Sequence, residues 1–482
     1  MLFKFKKLFN LIMNYTSLKI ILLILITLLN LGIIVFFDIC AKPQSDDWGF
    51  QAFIDEYGMF GSYLNMRETF QTSPYMLVVM FPFILLQKVI PYFILLLIIQ
   101  LSLPVSLFLV LKKFQYSSVS KWEEFKVFLI LFNISILTYL TAWNTNTFQN
   151  AVFWLTGALA YILPISMYIL FIERMIKINK SLIDKILIFA LVFLLVGVQI
   201  NYIVIFSIFF ILILFFKVIQ LDKFVYAIVV WGLMSLVYTW SYPGWLNRIP
   251  QSNELDCMDK GLNFLSLFFI NFKKEPIWSL ALILFIILAS NILRPFFSCA
   301  DGKKAQLKKF LPLLLVIITI SILLQIIAFN GNIGYGRVHF VSYLCQIIFL
   351  FFLGINLSYY FVINEKLNIF LLLAVTILIL LPLKFKLYQA KRFSKAWNER
   401  EEVILRNKNF SKDCLYLPEL PKSGILGYVD LQSDVQCGHF VGFKGKLEYS
   451  KIKNYDHWVH KMHYGLTKNI IIQPVNNGFR DE

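Results

Sequence analysis

Two adjacent aspartates, Asp46 and Asp47, follow directly after the first long apolar stretch of the chain, in the sequence SDDWG at residues 45–49. Carboxylates are costly near a bilayer and are rare there unless they serve a site. A carboxylate in such a position is suited to act as a general base that deprotonates a hydroxyl group. An acidic pair also offers oxygen ligands to a divalent cation such as Mg²⁺ or Mn²⁺. Capping a helix at 47–57 needs only one acid, so we expect at least one of the pair to be catalytic or metal-binding.

Further polar and aromatic residues occupy loops that should share the side of the membrane with this pair. Arg248 and Arg337 can hold phosphate oxygens through charge-assisted, bidentate hydrogen bonds. Trp154 and Tyr161 offer aromatic faces on which a sugar can stack. Interfacial aromatic residues also serve as membrane anchors, and arginines at helix ends also reach toward head groups, so each has a structural alternative. The predicted substrate-binding and phosphate-binding residues are Arg67, Trp154, Tyr161, Arg248, Arg337 and His339.

The composition of the chain is that of a membrane protein. Of its 482 residues, 59% are hydrophobic and 15% are charged, whereas a soluble chain carries about 25% charged residues. Apolar runs of about 18 residues or more predict membrane-spanning helices. The segment 74–90 is apolar but broken by Pro74 and Pro82, so we expect an interfacial or re-entrant helix there. The eleven predicted spans are near 17–37, 91–111, 126–142, 152–172, 185–198, 201–217, 224–240, 276–294, 310–328, 340–360 and 367–384.

Basic residues mark alternate loops between these spans. Lysines and arginines precede the first span and concentrate after the second, fourth, sixth and eighth spans, while the intervening loops are poorer in them. This bias predicts a cytoplasmic N-terminus, and eleven spans then place the C-terminal region outside. The same bias accounts for the net charge of +17. No basic module interleaved with aromatic residues is visible, so nucleic-acid binding is not expected.

The predicted fold class is an all-α polytopic membrane protein of about eleven transmembrane helices with a small extracytoplasmic α/β domain at its C-terminus. Residues 1–384 form the transmembrane catalytic domain in this division, and residues 385–482 form the tail domain, which opens with a helix from Tyr388 to Arg406. The tail also carries His457, His460 and His463 at three-residue spacing. That spacing is compatible with a zinc site, but a polar surface helix explains it better.

Several short motifs occur in a fixed order along the chain. A Ser-Asp-Asp-aromatic sequence, Ser45–Trp48, follows the first predicted helix, and a Phe-Trp-Leu-Thr-Gly-x3-Tyr stretch, Phe153–Tyr161, follows the third. A Pro-Gly-x3-Arg loop, Pro243–Arg248, comes later. The tail contains a Trp-x-x-Arg-x3-Ile stretch, Trp397–Ile404, and then Leu-Pro-x-Leu-Pro, Leu417–Pro421. In this order the motifs resemble those of bacterial multi-pass proteins in the GT-C glycosyltransferase superfamily.

The resemblance covers most of the chain and implies a GT-C-like fold, a polyprenyl-phosphate-sugar donor, an active site outside the cytoplasm and an aspartate of the first loop as base. It does not decide between Asp46 and Asp47. The chain departs from the group at two positions. Met66 replaces the glycine of an Asn-Gly-Arg sequence that ends at Arg67, and Asn398 replaces an aspartate in the tail.

The leading hypothesis is therefore a glycosyltransferase that moves a sugar from a polyprenyl-phosphate donor to a cell-surface glycan, glycolipid or protein acceptor. A transporter or flippase of lipid-linked sugars is a second hypothesis, which predicts inverted repeats and polar residues near the membrane midplane. A polysaccharide polymerase or ligase is a third, for which Arg337 and His339 in a late loop are suitable residues.

Overall fold

The computed structural model describes residues 15–43, 45–69, 74–113, 120–141, 149–177, 179–196, 198, 207, 211, 222–240, 276–297, 336–358, 363, 365–407, 414–418, 420–421 and 469–473. The N-terminal helices are α1 (Tyr15–Cys40), α2 (Ser45–Thr69), a π-helical segment (Met76–Met80) that continues into α3 (Phe81–Leu86), α4 (Tyr92–Lys113), α5 (Lys121–Thr141), α6 (Gln149–Val152) and α7 (Leu155–Ile176). They are followed by α8 (Leu182–Val196), α9 (Lys223–Trp240), α10 (Pro276–Phe297), α11 (Gly336–Leu357), α12 (Glu365–Leu380) and α13 (Leu383–Asn407).

Four stretches of the described residues are long and apolar enough to cross a membrane, and they lie in α1, α4, α5 and α7. Helices α12 and α13 make a fifth if they are one span, bent by 42° between Leu380 and Leu383. Apolar side chains such as Leu25, Leu28 and Ile98 remain exposed on α1 and α4, as expected where lipid is the neighbour. The chain is therefore helical and has the character of a membrane protein.

The predicted spans that fall on described residues are helical. Three of them contain apolar helices of fewer than 18 residues, Lys223–Thr239, Ser279–Leu293 and Gln346–Leu357. The span predicted near 310–328 lies outside the described residues, and so does the span near 201–217 except for residues 207 and 211. The count of eleven spans thus stays a prediction. The broken segment 74–90 is helical at residues 76–86 and contacts α2.

Helix α5 is the centre of the bundle. Every residue from 129 to 141 is buried, because α1, α4 and α10 pack around this helix. Most of its buried polar side chains are hydrogen-bonded inside the bundle, as burial of polar groups requires, and the Ser135 hydroxyl is an exception. Asn133 accepts a hydrogen bond from Asn30 Nδ2 and donates one to Thr27 Oγ1, each at 2.7 Å. These bonds fix α5 against α1.

Helices α4 and α7 pack along each other, and each contains a proline, Pro104 and Pro164. Proline has no N–H, so Pro104 leaves the carbonyl of Gln100, one turn earlier, without its helical partner. Tyr139 Oη from α5 donates to that carbonyl oxygen at 3.0 Å. Ser102 Oγ donates to Ser166 Oγ at 2.8 Å across the pair. The backbone break in α4 is thereby satisfied by its neighbour.

The C-terminal ends of α4 and α7 carry the basic residues that marked the loops in the sequence. Lys113 Nζ lies 2.9 Å from Glu173 Oε1. In the last turn of α7, Arg174 Nη1 donates to Asp184 Oδ1 at 2.7 Å, and just after the helix Lys177 Nζ donates to Asp184 Oδ2 at 2.6 Å. The backbone N–H and the hydroxyl of Ser181 donate to the same Oδ2. Asp184 therefore ties the end of α7 to the start of α8.

At pH 7 we expect Asp184→Asn to lower the thermal unfolding midpoint by several degrees. Hydrogen bonds hold the pKa of Asp184 below its usual value, with the largest effect from Lys177 and the next from Ser181. A carboxyl with a depressed folded pKa stabilises the fold above its unfolded pKa and loses that contribution as the pH falls through the folded pKa. The difference in unfolding midpoint between wild type and variant should be the same at about pH 7 and pH 5.5, and it should shrink below about pH 4. The unfolding midpoint can be measured by the intrinsic fluorescence of detergent-purified protein as the temperature is raised.

Asp55→Asn is the matched control for this measurement, because Asp55 is half exposed and pairs only at the surface with Lys88. Exposed pairs contribute about 0–1 kcal/mol. If Asp184→Asn lowers the unfolding midpoint at pH 7 no more than Asp55→Asn does, the contacts of Asp184 do not stabilise the connection between α7 and α8.

The first loop and the tail contain the remaining elements. Helix α2 bends at Gly58, whose φ of +69° is a conformation that glycine adopts without strain. Ser62 Oγ donates at 2.7 Å to the carbonyl oxygens of Phe53 and Gly58 on the two sides of the bend. In the tail, strands β1 (Cys414–Pro418) and β2 (Asn469–Gln473) pair in parallel. Apart from these strands, helix α13 and residues 420–421, the predicted α/β domain lies outside the described residues, so that domain stays a prediction.

The opening helix of the tail, predicted from Tyr388 to Arg406, is α13 and begins five residues earlier, at Leu383. The predicted domain boundary at residue 384 falls in its first turn. Helix α13 contacts both α1 and β1. It therefore joins the tail to the end of α1 from which the first loop begins.

Candidate active site

A cavity of about 280 Å³ lies at the C-terminal end of α1. Its wall combines the end of α1, the start of α2, the start of α4 and the middle of α13. These elements come from opposite ends of the sequence, and they meet because α13 packs on α1. The described lining residues are Asp38, Ile39, Ala41, Lys42, Pro43, Trp48, Tyr92, Phe93, Trp397 and Glu401.

Asp38 is the carboxylate of the α1 wall. It lies in the last turn of the apolar stretch Ile20–Cys40 and has no exposed surface. Gln100 Nε2 donates to Asp38 Oδ1 at 2.9 Å and to the carbonyl oxygen of Val152 at 3.2 Å. No described residue donates a hydrogen bond to Asp38 Oδ2. A fully buried carboxylate oxygen without a donor is uncommon in folded proteins.

Asp47 caps helix α7 from a distant part of the chain. Its Oδ1 accepts hydrogen bonds from the backbone N–H of Thr156, at 2.8 Å, and from the Thr156 hydroxyl. Tyr92 Oη donates to Asp47 Oδ2 at 2.9 Å and accepts from the backbone N–H of Leu155 at 2.8 Å. Trp154, at the usual capping position, makes no side-chain cap. The first two N–H groups of α7 therefore depend on α2 and α4, and the negative charge at this helix start is favourable.

Lys42 and helix α13 form the cationic and aromatic part of the wall. Lys42 Nζ donates to Asn398 Oδ1 at 2.7 Å. Partial burial lowers the pKa of Lys42, and the charge of Glu401 opposes that effect. The rings of Trp48 and Trp397 stack with centroids 5.5 Å apart and an interplanar angle of 17°. The Trp-x-x-Arg motif of the tail thus faces the first loop, with Arg400 buried in the same helix.

The structure describes the side chains of some predicted site residues and not of others. Trp154 and Tyr161 are buried, 5% and 3% exposed, at the start of α7 and within it, and neither belongs to the described lining of the cavity. The side chains of Asp46, Arg67, Arg337 and His339 and all of Arg248 lie outside the described residues. Their roles stay predictions.

A metal role for the acidic pair also stays a prediction. In the part of the chain that the structure describes, no three His, Cys, Asp or Glu side chains are close enough together to hold a metal ion. The Asp47 oxygens described above bind hydroxyl and amide donors instead. A cation at this site would therefore compete with the cap of α7.

Sequence reasoning missed Asp38, Lys42, Tyr92 and Gln100. Asp38 and Gln100 each interrupt a long apolar run, and a polar residue in such a run marks either a functional site or an interhelical hydrogen bond. That signal was available for both. Lys42 and Tyr92 lie at the ends of predicted spans, where lysine and tyrosine are common as membrane anchors. Their residue types therefore did not indicate a functional site.

Comparison of the chain with family models, with curated proteins and with solved structures found no match.

Proposed function

We propose that the chain is an integral-membrane glycosyltransferase. It moves a sugar from a polyprenyl-phosphate donor to a glycan, glycolipid or protein acceptor at the outer face of a bacterial cytoplasmic membrane. The observation that carries this proposal is the cavity at the end of α1, where a buried carboxylate, a lysine and a stacked tryptophan pair occur together.

Each class of side chain in the cavity suits a part of a lipid-linked sugar. Aromatic faces and a carboxylate recognise the C–H faces and the hydroxyl groups of a sugar. The ammonium group of Lys42 suits a phosphate oxygen. The cavity begins where the apolar stretch Ile20–Cys40 ends, which is the depth at which the phosphate of a membrane lipid lies. A donor whose lipid remains in the bilayer can thus present its sugar to this cavity.

The proposed reaction is direct displacement with inversion at the anomeric carbon. The acceptor oxygen bonds to that carbon, the bond from the carbon to the phosphate oxygen breaks, and polyprenyl phosphate leaves with the electron pair. Arg67, Arg248 and Arg337 join this proposal as phosphate ligands, and Asp46 and Asp47 as first-loop carboxylates. For Asp47, the described contacts favour holding the start of α7 beside the cavity.

The topology belongs to the same proposal: eleven spans, a cytoplasmic N-terminus and an extracytoplasmic α/β tail. Two observations support it. The cavity occurs at the N-terminal end of α4, where Tyr92 also contacts the start of α7. Lys112, Lys113 and Arg174 occur at the C-terminal ends of these two helices, about 30 Å away for helices of this length. The tail helix α13 contacts the α1 end that leads into the first loop, as a shared side of the membrane requires.

The test is incubation of the purified protein with a panel of radiolabelled polyprenyl-phosphate sugars and with membrane glycolipid and cell-wall glycan extracts as acceptors. We expect transfer of label to one acceptor, with release of an equal amount of polyprenyl phosphate. No release from any donor would overturn the proposal.

Two further arms separate the competing functions. Elongation with a polyprenyl-diphosphate glycan, but not with monophosphate donors, would identify a polymerase or ligase. Movement of a fluorescent lipid-linked sugar across proteoliposomes, without cleavage, would identify a transporter.

A further inference from the structure

We propose that Asp38, rather than Asp47, accepts the proton of the acceptor hydroxyl. This inference rests on the proposed function and assigns its base. Two carboxylates line the cavity, Asp38 on α1 and Glu401 on α13. Glu401 interacts with the charge of Lys42, whereas Asp38 Oδ2 is buried and receives no hydrogen bond from the described residues. A hydroxyl group supplies the donor that this oxygen lacks.

The contacts of Asp47 are unsuited to the same task. Both of its carboxylate oxygens accept hydrogen bonds from groups that the start of α7 needs, Thr156 on Oδ1 and Tyr92 on Oδ2. A proton taken up there would remove the negative charge that caps the helix. Asp38 Oδ2, in contrast, accepts no hydrogen bond from a described helix terminus.

The surroundings of Asp38 hold its carboxylate in one orientation. Gln100 uses the two hydrogens of its amide nitrogen for Asp38 Oδ1 and the carbonyl oxygen of Val152. The backbone of Gln100 is in turn fixed by Tyr139 at 3.0 Å. Gln100 is thus a positioning residue that directs Oδ2 by holding Oδ1. Supporting contacts of this kind are what a catalytic group needs to keep its geometry.

The proposed step begins from the ionised form of Asp38, because only the carboxylate can accept a proton. In the proposed step the acceptor oxygen bonds to the anomeric carbon, its proton passes to Asp38 Oδ2, and the sugar–phosphate bond breaks with release of polyprenyl phosphate. Asp38 has no exposed surface, so the wall of the cavity must open toward Oδ2 before the acceptor hydroxyl can reach it.

The test compares Asp38→Asn with wild type in the transfer assay. Asparagine keeps the side-chain shape and can still accept the Gln100 hydrogen bond, so we expect a folded protein. Removal of a general base costs about 100-fold to 10,000-fold in rate, and we expect a loss of at least about 100-fold. Donor affinity, followed by the fluorescence of the cavity tryptophans with each radiolabelled donor, should stay within about threefold, because the base acts on the acceptor.

Asp55→Asn is the matched control, since Asp55 is half exposed on α2 and should retain the wild-type rate. Asp38→Ala provides a second readout: added formate should restore part of the transfer rate, which a purely structural role of Asp38 would not allow. Asp47→Asn should show no formate effect.

The outcomes separate this inference from the proposed function. Transfer by wild type together with a near-normal rate for Asp38→Asn would overturn the assignment of the base and leave the glycosyltransferase intact. Transfer by wild type, loss of transfer in Asp38→Asn with donor affinity kept, and rescue by formate would support the assignment. Absence of transfer by wild type with every donor would overturn both.

Discussion

Asp47→Ala is expected to lower the free energy of unfolding by about 3–5 kcal/mol. The substitution removes the acceptor for the backbone N–H and the hydroxyl of Thr156 and the acceptor for Tyr92 Oη. A hydrogen bond to a charged group contributes about 1.5–3 kcal/mol, and each buried donor left without a partner costs about 1–3 kcal/mol. The start of α7 also loses the negative charge opposite its positive dipole end. Thermal and chemical unfolding in detergent measure the change.

Two variants bracket this result. Asp47→Asn keeps an acceptor for Thr156 but loses the charge, so its loss of stability should be smaller than that of Asp47→Ala. Asp55→Ala removes an exposed carboxylate from the same helix α2 and should cost no more than about 1 kcal/mol. Unfolding of Asp47→Ala at the wild-type midpoint would contradict the capping role that we assign to this residue.

Trp397→Ala is expected to destabilise the protein by a similar amount, about 3–5 kcal/mol, which is typical of buried tryptophan truncation. Trp397 is 3% exposed, and it loses its stack with Trp48 and its contact with Phe393, whose ring centroid lies 6.0 Å away. Because these rings fasten α13 to the first loop, the loss should also expose α13. Faster trypsin cleavage at its lysines and arginines, followed by mass spectrometry, measures that exposure.

Trp397→Phe keeps an aromatic ring in the stack and should retain most of the protection from trypsin. Tyr388→Ala is the matched control on the same helix, since Tyr388 is 54% exposed and its truncation should leave the unfolding midpoint nearly unchanged. Equal trypsin sensitivity of Trp397→Ala and wild type would show that the tryptophan stack does not hold α13.

The sequence located the helices of this chain well and their tertiary partners poorly. Apolar runs predicted α1, α4, α5 and α7 to within a few residues, because the length of a span is set by the thickness of the hydrocarbon. The kink of α2 at Gly58 and the extension of α13 to Leu383 were not predicted. Both depend on contacts with other elements, which a local pattern does not report.

The candidate site shows the same limit. Asp47 was predicted to be important because two acids follow a span, and its type could not distinguish a base from a cap. The distinction comes from Thr156, 109 positions away in the sequence. Trp397 belongs to a motif of the tail sequence, but its stacking partner Trp48 follows only from the packing of α13 on α1. Asp38 was overlooked because the acidic pair eight residues later was the stronger pattern.

The hydrogen bond between Lys42, which lines the cavity, and Asn398, 356 residues later in the chain, has a consequence for biogenesis. A multi-pass chain enters the membrane from its N-terminus during synthesis, so the α1 wall of the cavity is in place long before the ribosome reaches α13. The last wall is added only after every intervening helix has been inserted. A nascent chain therefore holds an open, incomplete cavity until α13 is made, and the enzyme that we propose becomes competent only after the membrane domain and the start of the tail are both in place.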